Sequence, residues 1–427
     1  MTNPTKKFTG KKLLLLGTNS GTCDMVDYAR KQGAYVIVTD NLPPERSAGK
    51  LIADEAWQVS TDDVDMLETL AIANKINGIF AGVSEFNLEK ALTLSERLGL
   101  PFYCAREQWE ICSNKQRFKQ LCRDNGVPVA KEYTIDGNSE SEDLRKIKYP
   151  VIVKPVDRSS GIGIRICHNE NELFKGYARA VSLSKTKKAI VEEFVLGDEI
   201  NVGYTVKDSQ ISLSYVGFGY LNPELSETIP LPQASIWPSK YTDKYIRELN
   251  DKVIRMFKSI GLANGFIFIQ GVINGEGFHI FESNFRLAAS CLYRFISRVN
   301  DINFMEMLVD YALTGKMEGY DLSLDNPKFS KYCCYLSLIS QGGLVGKIIG
   351  VEEIRKKKNL IALDKMYGVG DYIEKSGTLG QMHLRFLLIE DTLQDLKTSI
   401  KEIQDTVKVL DDKGNDMLLP PFNTDRI

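Results

Sequence analysis

Histidine is almost missing from this chain: three in 427 residues, at 168, 279 and 383, each far from the others. Imidazole is the usual acid–base group near neutral pH, so its scarcity points to chemistry that works by charge and positioning. Eight cysteines, at 23, 104, 112, 122, 167, 291, 333 and 334, form no C-x-x-C pair. With so few histidines they make no zinc-type cluster, and scattered reduced thiols in a chain of this size indicate the cytosol, so a cytoplasmic protein is expected. No apolar run approaches the ~18 residues that a spanning helix needs, so no membrane partner is expected. Met1 to Lys12 is polar and basic, so no secretory leader is expected there. A net charge of −2 gives no electrostatic reason to bind nucleic acid or an acidic membrane. Hydrophobic content of 43% and charged content of 26% are those of a globular protein, and the length calls for more than one core.

From residue 12 to 112 short apolar strands alternate with helical segments. Lys12–Leu16, Tyr35–Thr39 and Gly78–Ala81 read as strands, with helices ending near Gly33, over 63–76 and over Glu85–Leu98. This order predicts a Rossmann-like parallel sheet, an α/β unit over 1–112. The turn Gly17–Thr22 is not G-x-G-x-x-G, which argues against a nicotinamide site even though Asp40 stands where a ribose acceptor would. Ser113–Asn125 reads as a helix stopped by Gly126-Val127-Pro128. Phe218–Tyr241, with prolines at 223, 230, 232 and 238, is expected to be a long loop covering some surface. Ile246–Ile260 and Ile302–Thr314 are expected as helices and Phe266–Glu282 as a hairpin. Lys331–Ile339, Leu384–Glu390 and the helix 392–405 predict a small α+β domain over 326–427, leaving 113–325 as the middle domain.

The stretch Glu282-Ser283-Asn284-Phe285-Arg286 carries the most chemistry. Side chains alternate along a strand, so Glu282, Asn284 and Arg286 share one face, and His279, Phe281, Ser283 and Phe285 the other. A carboxylate, an amide oxygen and a fixed cation in one row make a hard-oxygen Mg²⁺ site beside an anion clamp, or else a solvated polar edge. Gln270 lies on the partner strand. A three-residue turn, Gly275-Glu276-Gly277, pairs Asn274 with Phe278 and sets Gln270 opposite Glu282; a two- or four-residue turn flips it away.

Lys154 ends the apolar strand Val151-Ile152-Val153. It is followed by Asp157-Arg158-Ser159-Ser160-Gly161-Ile162-Gly163, whose hydroxyls and backbone N–H groups suit a phosphate cradle better than an ordinary turn. Ile190–Val195 is a second strand whose acids Glu192 and Glu193 precede Leu196-Gly197-Asp198-Glu199. Its extended backbone suits an adenine edge and Glu199 ribose hydroxyls, the alternative being a surface acid cluster.

In this order the motifs resemble the ATP-grasp superfamily over roughly residues 12–315, adding the helix lysine Lys115 to the series. The resemblance implies a pre-ATP-grasp domain over 1–112, an ATP-grasp domain over 113–325 and a carboxy-terminal domain after it. It implies that Lys115 and Lys154 hold the α- and β-phosphates of ATP, while Ser159, Ser160, Gly161 and Gly163 close over the γ-phosphate. Glu192, Glu193 and Val195 would meet adenine and Glu199 ribose. Glu282, Asn284 and Gln270 would hold one or two Mg²⁺ or Mn²⁺ ions, with Arg286 steadying an acyl-phosphate. The family usually has an acid at the first metal position; Gln270 stands there, as in halves of the carbamoyl-phosphate synthase large chain. Phe285 replaces a customary proline. Gly368-Val369-Gly370-Asp371 is similar to the carboxy-terminal domain of L-amino-acid ligases.

The reaction implied is the joining of a small-molecule carboxylate to an amine through an acyl-phosphate, releasing ADP and phosphate. Lysines, Mg²⁺ and one arginine suffice for it, which suits a chain nearly without histidine. The Gly161/Gly163 loop and Phe218–Tyr241 are expected to act as lids, with Ser84-Glu85 and Arg294 or Arg298 in the pocket wall. Rival readings are a carbamoyl-phosphate-synthase-like enzyme making an acyl- or carboxy-phosphate for a partner, and a nucleotide-binding regulatory module without turnover. A homodimer is compatible with each.

Overall fold

A computed structural model describes residues 6–135, 144–158, 162–222 and 231–427. It opens with a four-stranded parallel sheet of β1 (Lys12–Leu16), β2 (Tyr35–Thr39), β3 (Glu55–Trp57) and β4 (Gly78–Phe80), in the order β3-β2-β1-β4. Leu13 to Leu16 and Val36 to Val38 are buried, as expected where helices cover both faces of a parallel sheet. The helices Thr22–Lys31, Val64–Asn74 and Glu85–Leu98 provide that cover. Asp40 is committed to Lys50 at 2.8 Å and to Ser47, so it does not stand free as a ribose acceptor.

A small antiparallel sheet follows, with β5 (Glu132–Tyr133), β6 (Val151–Pro155), β7 (Arg165–Cys167) and β8 (Ala189–Glu193) in the order β5-β8-β6-β7. It packs on the helix Glu170–Leu183 around its own apolar core of Val151, Val153, Cys167, Leu173 and Val191.

The largest sheet has eight strands: β9 (Asp198–Lys207), β10 (Gln210–Asn222), β11 (Leu231–Trp237), β12 (Gly265–Asn274), β13 (Gly277–Asn284), β14 (Tyr332–Ile339), β16 (Leu360–Lys365) and β18 (Met382–Glu390). Their order is β13-β12-β9-β10-β11-β14-β18-β16. A third antiparallel group joins β15 (Gly343–Ile349), β17 (Tyr372–Ile373) and β19 (Lys408–Asp411).

One expectation is corrected. Phe218–Tyr241 is not one long loop: most of its described residues lie in β10 and β11, paired through Phe218↔Ile236 and Leu221↔Pro232. Aromatic and β-branched residues there outweigh the prolines, and Pro232 sits where the register shifts, at a ladder irregularity that tolerates a missing N–H. The eight-stranded sheet continues past residue 325, where β14 pairs with β11 and carries the ladder on to β18 and β16. Among the described residues no helix is long and apolar enough to cross a membrane.

Candidate active site

The site forms where the helix Lys115–Asp124, the small sheet and the β12–β13 hairpin meet. Asn114 caps the helix, its side chain accepting from the N–H groups of Gln116 and Arg117 at 3.0 Å each. That fixes Lys115 in the first turn, buried, with its ammonium 3.6 Å from Glu282 and donating to the Arg158 carbonyl at 2.7 Å. Lys154, on β6, lies 3.1 Å from Glu192 and 5.0 Å from the centre of the Phe281 ring. The two lysines therefore face the same stretch of β13.

The hairpin reaches the needed pairing by an unexpected route. Asn274 pairs with Gly277, so the turn has two residues rather than three, which on a regular ladder would set Gln270 opposite Phe281. A bulge intervenes: Gln270 pairs with Glu282 while Gly271 pairs with Ile280. The extra residue is Phe281, and it turns to Lys154 rather than away with Ser283 as simple alternation predicted. Gly271 marks the place, because a Cβ there would stand 2.6 Å from the His279 carbonyl oxygen. A glycine inside an apolar strand pattern was the available signal.

Beyond the bulge the alternation is as expected. Ser283 donates to the Cys112 carbonyl at 2.8 Å and Phe285 packs edge-on to Tyr103, while Asn284 and Arg286 take the opposite side. Asn284 donates to Gln270 at 3.3 Å and accepts from Arg286 at 3.1 Å. Arg286 also donates to the Leu287 carbonyl at 3.0 Å and stacks 5.5 Å from the Phe268 ring centre, leaving its Nε buried without a partner among the described residues. Glu85, at the start of its helix, lines a recess here with Trp109, Ser113, Asn284, Phe285 and Arg286. Arg294 instead holds Asp24 at 2.8 Å and Asp364 at 3.2 Å, a clamp between distant parts of the chain.

Burial dominates the electrostatics. Glu199 hydrogen-bonds Gln270; burial and then the charge of Glu282 push it up to about 7, with that hydrogen bond opposing. Glu85 is also raised by burial, against the pull of Arg286 and Lys115. Glu192, 1% exposed, goes the other way: burial would raise it, but the charges of Lys154 and Lys119 hold it below the usual carboxylate range.

Glu192 therefore directs its carboxylate at two lysines rather than at open space for adenine. Glu193 is exposed, its N–H bonded to the Lys131 carbonyl at 2.9 Å, and Val195 lies just past the end of β8. Lys119, the second lysine on Glu192, was missed by sequence reasoning; its spacing from Lys115, one helical turn on, was the signal. Ser159, Ser160 and Gly161 lie outside the described residues. Gly163 takes φ +76°, and a Cβ there would stand 2.8 Å from Pro155, so glycine is required twice over. The root of this loop is anchored by Asp157, which accepts from the N–H groups of Lys185 and Thr186.

Among the described residues no group of three or more His, Cys, Asp or Glu side chains is placed to hold a metal. The donors gathered here are the carboxylate Glu282 and the amides Gln270 and Asn284, with Glu199 bonded to Gln270 behind them. That all-oxygen set fits Mg²⁺, which needs only one or two carboxylates when waters and phosphates complete its shell.

The model of the D-ala D-ala ligase C-terminus matches residues 121–217. The carbamoyl phosphate synthase large chain of Clostridium acetobutylicum is 25% identical over 320 residues, 71% of this chain but 28% of that one. The chain thus spans well under half of that relative's length. Among solved structures, the L-amino acid ligase from Bacillus licheniformis superposes with a TM-score of 0.78 at 16% identity, covering 94% of this chain and 99% of that one. Phosphoribosylglycinamide synthetase from Anaerococcus prevotii gives 0.74 at 20% identity, with the same coverage.

Proposed function

We propose, on the premise that this chain is an ATP-grasp protein, that it joins a small-molecule carboxylate to an amine or similar nucleophile at the expense of ATP. The observation that carries this reading is that Lys115 and Lys154 face Glu282 and Phe281 on β13, with Arg286 just past the strand's end bonded to Asn284. In the first step a carboxylate oxygen attacks the γ-phosphorus and the bond to the β-phosphate oxygen breaks, giving an acyl-phosphate and ADP. In the second, the amine attacks the acyl carbon, phosphate leaves, and the nitrogen gives up a proton.

Lys115 and Lys154 hold the nucleotide phosphates as point charges. Glu199 meets the ribose and the backbone from Glu193 to Val195 the adenine edge. Arg286 grips the transferred phosphoryl group, where a planar fork matches its oxygens. Glu282, Asn284 and Gln270 would hold Mg²⁺ or Mn²⁺, which when bound offsets the charge of the phosphates. Ser159, Ser160, Gly161 and Gly163 close over the γ-phosphate and keep water from the acyl-phosphate. The cytosol is the compartment in this reading, supported by eight cysteines that are all free.

The test is ADP release in the presence of pooled carboxylic acids and pooled amines, separately and together. Release that needs both pools supports the ligase. Release with an acid or bicarbonate alone would favour a carboxy- or acyl-phosphate supplier. ATP binding with no release under any pool would leave a regulatory module.

A further inference from the structure

Lys119 is a lysine enclosed by the protein. It is fully buried, on the same face of its helix as Lys115, and its ammonium meets Glu192 on β8 and, at 3.5 Å, Glu132 on β5. Burying an ammonium is costly unless it does something for its partners. Its closest partner is the carboxylate that also holds Lys154 at 3.1 Å. One oxygen of Glu192 goes to each lysine.

Consider Glu192 and Lys154 alone. The carboxylate would orient the lysine but cancel its charge, leaving little field for an incoming phosphate. With Lys119 on the second oxygen, two cations and one anion leave a single positive charge, and Lys154 is the member that faces the site. Glu132 does not upset this balance, because Arg123 pairs with it. The row Arg123, Glu132, Lys119, Glu192, Lys154 alternates in sign and ends positive at the nucleotide side.

We propose that Lys119 is a positioning residue for nucleotide binding: it balances Glu192, so that Glu192 fixes the Lys154 ammonium without neutralising it toward a phosphate. This rests on the reading of Lys154 as a phosphate ligand. Lys119 does its work through Glu192, so its value should vanish when Glu192 carries no charge.

The test is binding of ATP and of adenosine to the full chain by calorimetry, for wild type, Lys154→Met, Lys119→Met, Glu192→Gln and Lys119→Met/Glu192→Gln. Lys119→Met is expected to weaken ATP by about tenfold or more, the scale of an unpaired buried charge. Adenosine, lacking phosphates, should change by no more than about twofold, and the double variant should bind ATP within about twofold of Glu192→Gln alone. Lys119→Met binding ATP like wild type, or losing ATP and adenosine alike, would overturn the proposal. So would a further loss of ATP affinity in the double variant over Glu192→Gln, a comparison that holds even if Lys119→Met does not fold. A wild type that binds no ATP, or a Lys154→Met variant that binds it normally, overturns the nucleotide reading itself and this inference with it.

Discussion

Replacing Arg286 by lysine keeps the positive charge beside Glu85 and Glu282 and removes only the planar fork. In the structure that fork is divided: one terminal nitrogen donates to Asn284 at 3.1 Å, the other to the Leu287 carbonyl at 3.0 Å, and the plane lies over Phe268. A single ammonium loses one charge-assisted hydrogen bond, about 1.5–3 kcal/mol, and the ring contact, about 0.5–1 kcal/mol, part of which water restores. A stability loss of about 1–2 kcal/mol in urea unfolding is therefore expected. The larger effect falls on turnover. Losing one preorganised donor to developing charge costs about 10²–10³ in kcat. ATP affinity should move by less than about threefold, since Lys115 and Lys154 are untouched. The assay is steady-state ADP release at saturating acid and amine, with ATP binding measured separately. A lysine variant with wild-type kcat would refute the clamp. Lost ATP affinity at unchanged kcat would make Arg286 a nucleotide ligand instead.

Lys154→Met is expected to weaken ATP binding by roughly 10- to 150-fold, the worth of one charged hydrogen bond, with little change in melting temperature because Lys119 still pairs with Glu192; calorimetry beside a thermal melt checks both. Asp24→Ala removes the acceptor for Tyr293 at 2.6 Å and for two nitrogens of Arg294, and should cost about 2 kcal/mol in urea unfolding. Glu199 titrates near 7 in the folded chain against 4.5 in its ordinary state. The folded state thus binds this proton more tightly, and stability of the ligand-free protein should fall as pH rises from about 4.5 to 7, by at most ~1.4 kcal/mol per unit. Glu199→Gln should flatten that slope in urea midpoints taken across this range, and an unchanged slope would contradict the assignment.

The regular parts of this fold were readable because their patterns are local. Continuous apolar runs such as Leu13 to Leu16 declare a buried parallel strand, and helical spacing places the helices near 113–125 and 85–98. The polar row on β13 was readable for the same reason, since alternation needs no tertiary information. What was not legible depends on pairing between distant segments. Turn length alone gave the wrong path to the Gln270–Glu282 pair, because a bulge adjusts register as well as a turn does, and only Gly271 hinted at it. The strands on either side of residues 223–230 were hidden by proline count, since a proline's tolerance depends on whether its missing N–H faces a ladder partner. Spacing alone reads Glu192 as a surface or adenine-facing acid, because its two lysines come from other elements, β6 and the helix after Asn114. Buried ion networks of this kind are invisible to spacing. They appear only when the sheet and the helix are packed.

The central claim is that the carboxylate substrate itself attacks the γ-phosphate. An acid found active in the pooled screen, carrying ¹⁸O in its carboxyl group, tests this directly when turned over with ATP and an amine. One labelled oxygen should appear in the inorganic phosphate, alongside ADP. Unlabelled phosphate, or label in AMP, would contradict the acyl-phosphate route.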